Sequence, residues 1–213
     1  MFVLANIRGG AEFGPAWHEA GLKTHRHRIF DDFYGVAQDL VARKITSPRR
    51  LGIQGGSNGG LLMGVEFTQH PEMWNAVVIA VPLLDMLSYE HLSAGASWVG
   101  EYGSTSIPKE RAFLASISPY NQLKPDVKYP EPFIFTTTKD DRVGPVHARK
   151  FAARMEEFHK PFYYYEINLH LPDDEADGLN LRRARLSPEA GALDGLAEVF
   201  ALHFHAHTHF CKA

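Results

Sequence analysis

Apolar and polar residues switch between two periods along this chain, and the switches predict alternating strands and helices. Phe2 to Asn6 is a short apolar run that stops at Arg8-Gly9-Gly10, the pattern of a buried strand with a loop at its carboxyl end. Residues 11–28 are rich in Gly, Pro, His and Arg and predict a surface excursion with one short helix. From Asp31 to Arg43 the apolar positions Phe33, Val36, Ala37, Leu40 and Val41 recur at helical spacing, with Asp31 and Asp32 near the positive end of the helix dipole. Thr46-Ser47-Pro48 ends that helix, and Arg50 to Gln54 begins another strand. Ala76 to Val81 is continuous enough for a strand buried on both faces. Ser88 to Leu123 is mixed and aromatic and predicts helices and loops laid over a sheet. Pro132 to Thr138 predicts a strand, Val146 to Phe158 a helix, and Phe162 to Ile167 a last strand. Ser187-Pro188 supplies the N-cap and N1 residues of a terminal helix with apolar positions Leu193, Leu196, Ala197 and Phe200. The alternation predicts an α/β fold: a doubly wound, mostly parallel sheet with helices on both faces. With neither internal repeat nor linker, the chain reads as a single domain.

Composition narrows the picture little. A length of 213 residues with 45% hydrophobic and 22% charged content suits one globular domain with a buried core. A net charge of -3 gives no reason to expect nucleic acid or an anionic membrane surface as a partner. One cysteine, Cys211, excludes an intrachain disulfide and a Cys-based zinc cluster. No apolar run approaches the roughly 20 residues that span a bilayer. Met1 to Ala5 is too short for a signal peptide and lacks a basic start, which favours a cytoplasmic location. It reads as the middle of a strand, so the chain is expected to be a fragment, with an unpaired sheet edge before Phe2 that invites self-association. No cofactor is implied.

The stretch Leu51-Gly52-Ile53-Gln54-Gly55-Gly56-Ser57-Asn58-Gly59-Gly60 changes the picture most. It matches G-x-S-x-G at Gly55, Ser57 and Gly59, between an apolar strand and the helical run Leu61-Leu62-Met63. A nucleophilic serine needs a sharp turn that lifts its oxygen above the sheet. Flanking glycines let backbone approach, and the N–H of Asn58 then points where an acyl oxyanion forms. The alternatives are a glycine-rich turn with a bystander serine, or a phosphate loop, which the absence of Gly-Lys-Ser/Thr disfavours. Sheets of this kind bind ligands beyond the carboxyl ends of their strands, where Asp140 also falls, 83 residues after Ser57. Asp140 suits the acid of a Ser, Asp, His sequence of triad residues. A turn-forming aspartate is the alternative.

Arg8-Gly9-Gly10, Gly55-Gly56-Ser57-Asn58-Gly59-Gly60, Trp98-Val99-Gly100-Glu101-Tyr102-Gly103, Ser118-Pro119-Tyr120-Asn121 and Asp140-Asp141-Arg142-Val143 follow one another in order. Together they closely resemble the catalytic α/β-hydrolase domain of the prolyl oligopeptidase family of serine peptidases, from about Phe2 to Glu166. The resemblance implies a peptide substrate cut on the carboxyl side of proline through an acyl-enzyme. It implies Ser57 as nucleophile, Asp140 as triad acid and the Asn58 N–H as an oxyanion donor. Arg142 would hydrogen-bond the substrate backbone, and Trp98, Tyr102 and Val143 would line a proline pocket, whose flat ring suits aromatic walls. Read without the family, Trp98 and Tyr102 are spaced i, i+4 and predict core packing.

The chain also departs from the family pattern. Members carry a propeller domain, which restricts substrates to short peptides, and further hydrolase strands before Arg-Gly-Gly. A tyrosine that gives the second oxyanion donor lies in that part. After the strand, the family reads Glu-Gly-Gly-His, whose histidine is the general base; this chain reads Glu166-Ile167-Asn168-Leu169-His170-Leu171-Pro172. His170, 30 residues after Asp140, is the candidate base, although counting from Glu166 places the family's histidine at Pro172. A loop histidine in divergent sequence is the alternative. His159 comes too early, and His147, in a helix's first turn, is expected to face solvent. His203-Phe204-His205-Ala206-His207-Thr208-His209 would as a strand align four imidazoles able to bind zinc or nickel. The plainer expectation for 203–213 is a disordered tail. Besides a peptidase, the sequence therefore allows a catalytically impaired fragment with weak esterase activity, or a non-enzymatic metal-binding role of the tail.

Overall fold

The computed structural model describes residues 1–167 and 200–203. The first apolar run forms strand β1 (Phe2–Leu4), and the excursion after it carries helix α1 (Pro15–Glu19). Helix α2 (His27–Ala42) follows, then strand β2 (Leu51–Gly56), helix α3 (Asn58–Gln69) and strand β3 (Ala76–Ala80). Three short helices lie in the aromatic region: α4 (Val99–Tyr102), α5 (Pro108–Ser116) and α6 (Pro119–Gln122). Strand β4 (Pro132–Thr137), helix α7 (Val146–Glu157), strand β5 (Tyr163–Ile167) and strand β6 (Phe200–His203) complete the described chain.

All six strands run parallel in one sheet of order β1-β6-β2-β3-β4-β5, the α/β architecture expected from the alternation. Gly56, Ala80, Phe135 and Tyr165 stand side by side across four neighbouring strands. Ser57 therefore leaves the sheet just past that row, and the Asp140 loop leaves the same carboxyl edge two strands away. The helices bind this sheet through a continuous core. Phe33 of α2 packs on Trp74, and Phe67 of α3 packs on both Tyr129 and Phe151 of α7. Burying each such side chain contributes about 1.5–3 kcal/mol, which fixes α3 and the turn preceding it against the sheet. Among the described residues no helix is long and apolar enough to cross a membrane.

Four expectations are corrected. Helix α2 starts at His27, because its apolar stripe begins with Ile29 and Phe30, so Asp31 and Asp32 fall past the first turn and its dipole. Asp32 instead accepts hydrogen bonds from the Arg8 backbone N–H at 3.0 Å and its guanidinium at 2.7 and 2.5 Å. Strand β3 is not buried on both faces: Val77 and Ile79 are buried, whereas Ala76, Val78 and Ala80 are half-buried. His147 does not face solvent but is 1% exposed. Phe200, placed in a helix by its spacing, lies in β6, between β1 and β2. Two parallel strands held one strand-width apart leave backbone N–H and C=O groups that only a strand between them can pair. The residues Ser187, Pro188, Leu193, Leu196 and Ala197 and the histidine tail beyond His203 lie outside the described residues.

Candidate active site

Strand β2 ends in the turn that the glycine pattern predicts. Ser57 has φ 56° and ψ −116°, a conformation L-residues rarely adopt, which stores roughly 1–3 kcal/mol of strain. The surrounding structure enforces it. The Ser57 N–H donates to the Ala80 carbonyl at 2.9 Å, and its own carbonyl accepts the Leu61 N–H at 3.1 Å, starting α3. Gly55 is required by contact: a β-carbon there would lie 2.5 Å from the Gly59 carbonyl oxygen. Asn58 is the first residue of α3, where a backbone N–H has no intrahelical acceptor and the helix dipole is positive. Beside the turn, Val81 is strained as well, with φ 38°, and donates its N–H to Phe135 at 2.7 Å.

Asp140 is both a turn former and a candidate acid. Its Oδ1 accepts the N–H groups of Arg142 at 3.1 Å and Val143 at 3.0 Å, which fixes the carboxylate plane. Its Oδ2 is buried and, among the described residues, has no hydrogen-bond partner. The same loop is tied to the aromatic region, where the Ala94 N–H donates to the Arg142 carbonyl at 2.9 Å. Gly144, at φ 79°, lets it pass against Ser93. Val143 is buried and Arg142 exposed.

Trp98 and Tyr102 are both buried in the core cluster, as their spacing alone predicts. Tyr102 also reaches the turn, for its hydroxyl donates to Asn58 Oδ1 at 2.9 Å. Burial pushes its phenol up to about 12, with the Arg26 charge pulling the other way, so it remains a neutral donor. Asn58, Tyr102 and Ser57 are thus brought together. His170 lies outside the described residues, and no distance joins it to Asp140. His147, the nearest described histidine in sequence, is taken up elsewhere. Its Nδ1 accepts the N–H groups of Leu84 at 3.3 Å and Asp85 at 3.1 Å. Burial lowers it to about 4, against the raising effect of Asp85. It is a neutral structural acceptor. No group of three His, Cys, Asp or Glu side chains among the described residues could hold a metal ion.

Sequence reasoning missed Arg26. It lies in the excursion expected at the surface, yet it is 1% exposed. Its guanidinium donates to Glu101 Oε1 and to Asn58 Oδ1, each at 2.7 Å, and sits 4.3 Å from the centre of the Tyr102 ring. The only signal in the sequence is Glu101 within the Trp98–Gly103 motif, a carboxylate amid apolar residues.

Comparison with known proteins bears on this geometry. A family model described as "Prolyl oligopeptidase family" matches residues 1–170. An uncharacterised peptidase of Sinorhizobium fredii is 67% identical over 165 residues, 78% of this chain and 23% of its own. A prolyl endopeptidase of Dictyostelium discoideum is 42% identical over 157 residues, 73% of this chain and 21% of its own. Among solved structures, a post-proline cleaving enzyme from Rickettsia typhi matches with a TM-score of 0.74 at 43% identity, covering 76% of this chain and 23% of that one. Prolyl oligopeptidase B from Galerina marginata, solved with a 35mer hydrolysis and macrocyclization substrate, matches with a TM-score of 0.72 at 34% identity, covering 75% and 23%. The chain spans less than a quarter of the length of these relatives, and the shared fold is that of an α/β-hydrolase.

Proposed function

The chain belongs to the prolyl oligopeptidase family of peptidases, and on that premise we propose that it hydrolyses peptide bonds on the carboxyl side of proline through an acyl-enzyme on Ser57. The observation that carries this reading is the Asp140 Oδ2, buried and without a hydrogen-bond partner among the described residues, beside an Oδ1 already pinned by two backbone N–H groups. A carboxylate so held suits the Nδ1–H of an imidazole, fixing its tautomer and stabilising the imidazolium. His170 is the proposed imidazole. In this mechanism Ser57 Oγ attacks the scissile carbonyl while His170 takes its proton. The Asn58 N–H stabilises the tetrahedral oxyanion, and the imidazolium then protonates the departing amine. Water attacks the acyl-enzyme by the reverse proton route. Trp98, Tyr102 and Val143 would pack on the proline ring, and the exposed Arg142 would donate to the peptide backbone. The Galerina structures, bound to a 35mer substrate, support a peptide as the substrate class.

One sequence observation favours a second reading. No Gly-Gly-His follows Glu166, and a serine with an oxyanion donor but no base retains only a residual rate over water. The chain would then be a weak esterase.

Titration with a fluorophosphonate probe separates the two. The first reading expects stoichiometric labelling of the folded chain, abolished by Ser57→Ala and lowered by His170→Ala. Asp140→Asn should slow it by roughly 10⁴-fold, as loss of a triad acid does elsewhere. Cleavage of a proline-containing peptide should exceed that of its alanine counterpart. Labelling that needs Ser57 but ignores His170 and Asp140 would establish the esterase reading. A folded chain that never labels would refute both.

A further inference from the structure

Burying a guanidinium is costly unless its charge and all its donors are met, and Arg26 meets more than neutralisation requires. Glu101 alone balances the charge. The second arm of the fork goes instead to Asn58 Oδ1, which also takes the Tyr102 hydroxyl. Two donors at 2.7 and 2.9 Å leave the Asn58 side chain one orientation, one residue from Ser57. The guanidinium face lies over the Tyr102 ring, so one side chain fixes both the residue whose N–H faces the oxyanion and a proposed pocket wall. Glu101 is held from behind, its Oε2 lying 3.3 Å from His18 Nε2, while His18 Nδ1 meets the Gly9 carbonyl at 2.9 Å. The Arg8-Gly9-Gly10 loop is thereby joined through three side chains to the serine turn.

We propose that Arg26 is the positioning residue that holds the Asn58 N–H and the Tyr102 ring in place for the reaction at Ser57. This role rests on the acyl-transfer reading of Ser57. The planar fork matters because a lysine ammonium in the same place keeps the charge but cannot span Glu101 and Asn58 together. Misplacing a reacting group by about 1 Å costs on the order of 100-fold in rate.

Arg26→Lys in the full 213-residue chain is expected to lower kcat, and the fluorophosphonate labelling rate, by about 10- to 100-fold, with KM changing less than about threefold. In an Asn58→Ala background, which keeps the backbone N–H, Arg26→Lys should lower the rate less than it does in the wild type, since only the Tyr102 contact is left to lose. Full additivity of the two substitutions would assign Arg26 a merely structural role and overturn the proposal. The ¹H–¹⁵N spectrum gives a readout that needs no activity. Arg26→Lys should move the Asn58 backbone and side-chain amide signals, and unmoved signals in a folded variant overturn the proposal even if the wild-type chain never labels. Should Arg26→Lys not fold, Asn58→Asp, which keeps an acceptor for the fork, should hold the backbone amide signal at position 58 and the rate closer to wild type than Asn58→Ala. Equal losses from both would refute the clamp.

Discussion

His147 offers the most quantitative test of how this domain is held together. Its ring is buried at the start of α7, with Nδ1 accepting two backbone N–H groups from the segment after β3. Asp85, Lys150 and Asp140 are the charges acting on it, and the ring is lowered from 6.5 to about 4 because burial, with Lys150 adding to it, outweighs the raising effect of Asp85 and Asp140. An unfolded chain takes up the proton near pH 6.5 and the folded one only near pH 4, so between these values the unfolded state binds more protons. Stability from this residue is complete above pH 6.5 and is lost as pH falls through that window. At about 1.4 kcal/mol per pH unit, the loss amounts to about 3 kcal/mol, a large part of the 5–15 kcal/mol that holds a typical domain. His147→Asn keeps an acceptor oxygen near the place of Nδ1 but cannot titrate. Urea unfolding of both proteins from pH 4 to 7, followed by circular dichroism, should show the wild type losing about 3 kcal/mol more than the variant over that range. The difference cancels every other titrating group common to both. Parallel profiles would refute the reasoning. His147→Phe should instead cost about 1–3 kcal/mol for each of the two N–H groups left unpaired, at every pH.

Two further outcomes are expected. Both carboxyl oxygens of Glu66 in α3 are buried without a partner among the described residues, and burial, with Asp31 and Glu72 adding to it, holds this acid well above the ordinary range. The unfolded chain ionises Glu66 first as pH rises above about 4.5, so wild-type stability falls with pH there; Glu66→Leu should remove that slope and add about 1–3 kcal/mol at pH 7, read by urea unfolding at pH 5 to 8. Gly55→Ala drives a β-carbon into the Gly59 carbonyl and should cost about 1–3 kcal/mol together with probe labelling, whereas Gly100→Ala, which meets nothing within 4 Å, should change neither.

What the sequence reveals here depends on how far apart the interacting residues lie. Ser57 and its glycines are legible because the whole turn is local: strand, strain and helix start are encoded within ten residues. Asp140 is legible as a strand-end aspartate: one oxygen makes the turn, and the other is buried without a hydrogen-bond partner among the described residues. Arg26 is not legible. Its partners are 32 and 75 residues away, and a run of His and Arg between glycines carries the pattern of a surface loop. His147 fails for the same reason: helical position gives its angle on α7, but its burial depends on backbone 62 and 63 residues distant. Phe200 is a case of ambiguity, because a four-residue apolar run fits either period and the gap between two strands decides it.

The place of β6 has a consequence for the order of events in making this protein. Phe2 is synthesised well before its partner in the sheet, Ala201. The part of the sheet formed by β2, β3, β4 and β5 pairs strand by strand in the order of synthesis. β1 has to wait for β6, which is made roughly 10–40 s later at ~5–20 residues per second. So distant a pairing is entropically slow to close, and in that interval the sheet lacks the strand that joins β1 to β2. Anything that occupies β1 during this time competes with β6.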